Sequence, residues 1–118
     1  MSTIGQSGVR SALAEFIDQR IMPAIPADKS WLKWAIGGAS TVALARLDKI
    51  VDGYFPLLTS IGLVDESKNL NIEATETFVK SAFDKQETVS MPVMGVKITL
   101  DKQDGDALIA LLKQYGGQ

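Results

Sequence analysis

The stretch SWLKWAIGGASTVALARLDKIV, residues 30–51, is the longest apolar run of the chain and constrains its fold more than any other feature. Leu32, Ile36, Ala39, Ala43, Leu47 and Ile50 recur at steps of three and four, which stacks them along one face of an α-helix. A second row, Trp31, Ala35, Val42 and Ala45, widens that face. A helix apolar on so many sides is expected to be covered by neighbours on more than one of them. We therefore expect a central helix on which the other segments pack. Asp28 or Ser30 is positioned to cap its start, and Lys49 suits the negative end of its dipole.

Two glycines sit inside this run. Gly37 and Gly38 each cost a helix about 1 kcal/mol relative to alanine. Together with Ala39 and Ser40 they strip away bulk, so that another backbone can come close, either from the same chain or from a second copy. A membrane span is excluded, because only twelve uncharged residues separate Lys33 from Arg46, against the ~20 that a bilayer requires. Trp31 and Trp34 flank Lys33 in the first turn and share one side of it. They are read either as core or as a contact patch for a partner, where tryptophan is enriched.

The composition removes whole classes of chemistry. There is no cysteine, which excludes disulfides, thiolate catalysis and cysteine-bound metal. There is no histidine, which takes away the usual general base near neutral pH and the commonest transition-metal ligand. A net charge of −2 argues against nucleic acid as the main partner. Residues 1–50 carry six basic and four acidic side chains and residues 51–118 six and ten, an asymmetry able to orient copies head to tail. The opening MSTIGQSGVR lacks the basic start and apolar core of a signal peptide. A cytoplasmic chain, or one carried inside an assembly, is expected.

Taken in order, Val9, Leu13, Phe16, Ile17 and Ile21 predict an amphipathic helix over residues 7–22, capped by Ser7. Pro23 and Pro26 then break it and turn it back along the central helix. Asp52 and Gly53 read as a stop, with a short helix from Pro56 to Ile61; the competing reading is one helix running on through a kink at Pro56. Polar residues 65–69 form a loop. This divides the chain into an N-terminal helical hairpin with a short helix (residues 1–62) and a C-terminal unit (residues 63–118), within one compact domain overall.

The C-terminal unit is helix, β-hairpin, helix. Thr75, Phe78, Val79, Ala82 and Phe83 give an apolar stripe over residues 72–85, with Asn71 as cap. Val96, Ile98 and Leu100 alternate with Lys97 and Thr99 as a half-buried strand does. Residues 88–91 are its partner through a connection at 92–95. Asp101 caps the last helix and Asp104 completes a capping box with a shorter acid. Ala107, Leu108, Leu111, Leu112 and Tyr115 form its buried stripe, and Gly116 with Gly117 ends it. Met91 and Met94 lie at the hairpin, as core filling or as a contact at its tip. The fold class is thus α+β and mostly helical.

The succession GLVDE, a polar loop, a helix ending in FDKQ, a hairpin and the closing LDKQDGDALIALLKQY resembles a group of small uncharacterised proteins of phages and prophages of Gram-positive bacteria. The resemblance spans residues 61–115 and rests on order and spacing. It implies an accessory or structural phage-type protein and assigns no functional residue.

No catalytic constellation survives inspection. Ser30 and Lys33 have the S-x-x-K spacing of penicillin-recognising enzymes, without their other two motifs. Asp101, Asp104 and Asp106 depart from a calcium loop and are better explained by capping. Asp48 and Asp52 share a helix face with Lys49 beside them, as solvated side chains do. No nucleotide-binding glycine pattern occurs. The expectation is a non-enzymatic structural or interaction protein without metal or cofactor, self-associating through Trp31, Trp34, Gly37 and Gly38 and through the hairpin with Met91 and Met94. The alternative is a monomeric protein- or peptide-binding module that uses the hairpin edge or the Trp31/Trp34 patch.

Overall fold

The computed structural model describes residues 3–116. In chain order its elements are β1 (Thr3–Ile4), α1 (Gln6–Phe16), a π-helical turn (Ile17–Ile21), the short α2 (Met22–Ala24), a 3-10 turn (Ala27–Lys29), α3 (Ser30–Ala45), α4 (Leu47–Ser60), β2 (Leu70–Asn71), α5 (Ile72–Ala82), β3 (Thr88–Val93), β4 (Val96–Asp101) and α6 (Lys102–Gly116). The class is the mostly helical α+β one expected, with two small antiparallel sheets, β1 with β2 and β3 with β4.

The main core lies where α1 crosses α6. Ala12 and Phe16 of α1 meet Ile109, Leu111 and Leu112 of α6, and Ile4 and Ile72 close the cluster. The approach is tight at both ends. A Cβ on Gly8 would stand 2.7 Å from the Ile4 Cγ1, and one on Gly116 would stand 2.8 Å from the Ile72 Cδ1. Because Ile4 pairs with Leu70 in the β1–β2 ladder, both halves of the chain contribute to this one cluster.

A second cluster, Ile25, Leu32, Val96 and Ile98, seats the start of α3 on the hairpin. Ile21 packs against both clusters. The π turn explains how: widening one turn rotates the residues that follow, so Ile21 and Met22 swing from the α6 side toward the hairpin. The helical run that begins with α1 ends at Ile25, whose backbone is extended ahead of Pro26.

The central helix differs from expectation in two ways. It is broken at Arg46 (φ −113°, ψ 25°), and α4 then runs to Ser60 through both Gly53 and Pro56. The stop at Asp52–Gly53 does not occur; the helix runs on through Pro56 as the competing reading held, but it is not unbroken, because the interruption falls at Arg46. Nor is the helix central. Leu32 is its one buried residue in α3, Ile36 and Leu47 are half-buried, and Ala39, Ala43 and Ile50 face solvent. The reason is size: alanine and glycine on that face offer little area to bury, whereas Phe16, Ile109 and Leu112 offer more and take the core.

α3 still pairs with α1 as a helical hairpin. The Arg10 Nε donates to the Leu44 carbonyl oxygen at 2.8 Å, and Gly37 faces Met22, whose Cε would lie 3.7 Å from an added Cβ. That is ordinary side-chain contact rather than a close backbone approach, and nothing comes within 4 Å of Gly38. Neither Asp28 nor Ser30 caps α3, which follows the 3-10 turn directly. Ser7 does not cap α1 either; the helix starts one residue earlier, after Gly5.

Local signals in the second half are realised closely. The Asn71 Oδ1 accepts from the Ala74 N–H at 2.9 Å, starting α5. Asp101 and Asp104 form a reciprocal box, the Asp104 N–H donating to the Asp101 Oδ1 at 3.0 Å and the Asp101 N–H to the Asp104 Oδ2 at 2.9 Å. Strands β3 and β4 pair from Thr88 with Asp101 to Val93 with Val96. The connection is therefore a two-residue turn, Met94–Gly95, with φ of 51° and 80°, the primed geometry that matches strand twist. Gly117, expected with Gly116 to end α6, lies outside the described residues.

Candidate functional site

Most of the exposed large apolar side chains among the described residues lie on α3 and α4. Trp34 is 85% exposed and Trp31 51%. Val42, Ile50, Tyr54, Leu57 and Ile61 are also exposed. On α4, Ile50, Tyr54 and Leu57 follow at steps of four and three and so share one face, and Ile61 stands at its C-cap. Beside Trp34, residues Ala35, Gly37, Gly38 and Ala39 line a shallow depression. Gly38 forms its open floor, because no atom lies above its missing side chain.

Of the six residues selected from the sequence, the structure brings Trp34, Gly37 and Gly38 together here, with Trp31 in the same turn. Met91 and Met94 part company. Met94 stands at the hairpin tip and is 62% exposed, whereas Met91 points inward to a groove.

That groove is the second apolar surface. The inward face of the hairpin carries Val89, Met91, Val93, Val96, Ile98 and Leu100 in cross-strand register. Its turn end is covered by Ile25 and Leu32. Its far end, with Val89, Met91 and Leu100, stays open between the π turn, α5 and α6 as a groove of about 240 Å³. Phe78 (62% exposed), Val79 and Phe83 form one wall, and every residue that lines it is apolar. Sequence reasoning placed Phe78 in the apolar stripe of the 72–85 helix, and the structure leaves it exposed. The stripe Phe78, Val79, Ala82 and Phe83 is wider than α6 covers, and that width was the available signal. The α4 stripe was missed for another reason: its spacing becomes visible only when the helix continues through Gly53 and Pro56.

Chemical groups do not converge. Among the described residues no polar or charged side chain is buried, and no cluster of acids suits a metal ion. Ser30 and Lys33 are both exposed at the start of α3. Asp52 is engaged by the Lys68 ammonium, which also lies 5.5 Å from the Phe55 ring centroid, so Asp48 and Asp52 make no carboxylate pair. Asp101 and Asp104 are spent on capping, and Arg20 reaches the Asp104 Oδ1 at 3.4 Å.

No family model, curated protein or solved structure matches this chain. No helix among the described residues is long and apolar enough to cross a membrane.

Proposed function

We propose that this chain is a non-enzymatic structural protein that assembles with copies of itself, and that the outer face of α3 and α4 is its main contact surface. The exposed large apolar side chains of these two helices, among them Trp31, Trp34, Tyr54 and Leu57, carry the reading. Fully burying one such side chain contributes roughly 1.5–3 kcal/mol, so a handful shared across an interface suffices for association. Residues 61–115 support a phage-type accessory or structural role through the resemblance of their order of elements. On this reading the chain acts in the cytoplasm or within such an assembly.

Sedimentation velocity over a range of concentrations tests it. The expected result is a concentration-dependent mass above that of one chain, shifted toward the single chain by Trp34→Ala with Leu57→Ala. A single chain at high micromolar concentration overturns the proposal and favours the monomeric binding module.

A further inference from the structure

We infer that Arg46 is a hinge about which two copies exchange halves: α3 and α4 straighten into one helix, and residues 3–45 of each copy complete the core of the other. The exchange goes beyond the surface contact proposed above and does not need it.

Three observations carry it. The first is the break itself. Arg46 ends α3 and begins α4 at φ −113°, ψ 25°, and no side chain caps the start of α4. A helix commonly stops at glycine or asparagine and restarts at a capping side chain. Here neither glycine nor proline occurs from Ala39 to Asp52, and Ala43, Leu44, Ala45, Leu47 and Lys49 are good helix formers. Gly53 and Pro56, the residues that could break a helix, lie inside α4 where it runs on. The interruption is therefore imposed by tertiary contacts against local preference. One of them is the Arg10 Nε, which donates to the Leu44 carbonyl oxygen at 2.8 Å, a group that a straight helix would pair with the Asp48 N–H. Short hinges held against their own preference invite exchange between copies.

The second is the division of contacts on either side of Arg46. α3 is fastened to the first half, through Arg10 and through Gly37 against Met22. α4 is fastened to the second. The Lys68 ammonium engages Asp52 and lies 5.5 Å from the Phe55 ring centroid, and the Leu63 N–H donates to the Leu58 carbonyl oxygen at 3.0 Å. Each helix thus travels with its own half.

The third is the position of the core. Ala12 and Phe16, before the hinge, meet Ile109 and Leu112, after it. Ile25 and Leu32 likewise meet Val96 and Ile98. Both clusters are shared between the halves, as is the β1–β2 ladder. An exchanged pair rebuilds these contacts between copies, so the two forms differ at the hinge and in the cost of association.

Refolding the parent chain from denaturant at high micromolar concentration is expected to give a dimer that survives dilution, because its release requires the core to open. The chain has no cysteine, and the Glu15 and Tyr115 side chains meet across the halves. Glu15→Cys and Tyr115→Cys, on separate chains refolded together and treated with a short bismaleimide, should give covalent heterodimers on a denaturing gel, and neither chain alone should. Arg46→Gly, at an exposed position, should move the equilibrium toward the single chain about 25-fold, since glycine disfavours a continuous helix about fivefold at each of two hinges. An unmoved equilibrium overturns Arg46 as the hinge. A dimer that falls apart promptly on dilution, or that gives no link between chains, overturns the exchange and leaves surface self-association in place. Refolded chains that all stay single overturn both. A persistent, cross-linked dimer that Trp34→Ala with Leu57→Ala leaves intact upholds the exchange and removes the outer face of α3 and α4 as the contact.

Discussion

The Tyr115 hydroxyl donates a hydrogen bond to the Glu15 Oε1 at 3.0 Å, tying the end of α6 to the last turn of α1 across a hundred positions of sequence. The bond holds the phenol proton, and with smaller contributions from desolvation and the Glu15 charge it raises the Tyr115 pKa above its ordinary value of 10. A raised pKa in the folded state stabilises the fold while the group is protonated. That contribution is complete below pH 10 and is lost as pH climbs through the raised value. Ultraviolet titration of the phenol is expected to show Tyr115 ionising late. In Glu15→Gln its midpoint should move back toward 10; an unmoved midpoint counts against the assignment.

Leu32 and Trp34 lie two positions apart with opposite fates. Leu32 is fully buried against the hairpin cluster, so Leu32→Ala should cost about 2–5 kcal/mol in chemical denaturation. Trp34→Ala, despite the larger truncation, should stay within about 0.5 kcal/mol at concentrations where the chain is monomeric. Equal losses would mean that Trp34 belongs to the core.

Met94 occupies a left-handed backbone position, at φ 51°, that asparagine tolerates and methionine disfavours. Met94→Asn creates the Asn-Gly pair favoured in this turn and is expected to raise stability by about 0.5–1 kcal/mol. If assembly weakens while the melting temperature rises, the hairpin tip is itself a contact, as one sequence reading held.

The reciprocal box of Asp101 and Asp104 closes two backbone donors at the start of α6. Asp101→Ala should cost about 1 kcal/mol. Asp104→Ala should also release Arg20 from its carboxylate. A double variant measured with the two singles would show coupling, because both acids serve one cap.

These contrasts show where the sequence was legible. The Asn71 cap, the hairpin and the 101–104 box could be read because the partners of each interaction are close in the chain. The pairing of Thr3 and Ile4 with Leu70 and Asn71 could not, since strands of two residues leave no periodicity to detect and their partners lie far apart. The burial of α3 was misjudged because periodicity reports which side is apolar and not what covers it. Ile50, Tyr54, Leu57 and Ile61 are apolar and yet exposed. The helix through Pro56 defied its usual reading; proline lacks the N–H that would have bonded to the Asp52 carbonyl and its ring crowds that carbonyl, but Asp52 and Pro56 are exposed, so solvent can take the place of the lost bond.

The join between α1 and α6 also bears on how the polypeptide is made. Phe16 and Ala12 leave the ribosome long before Leu112 exists to meet them, so no native neighbour from α6 shelters that flank during most of translation. Slowing synthesis upstream of codon 102 should lengthen this window and raise aggregation.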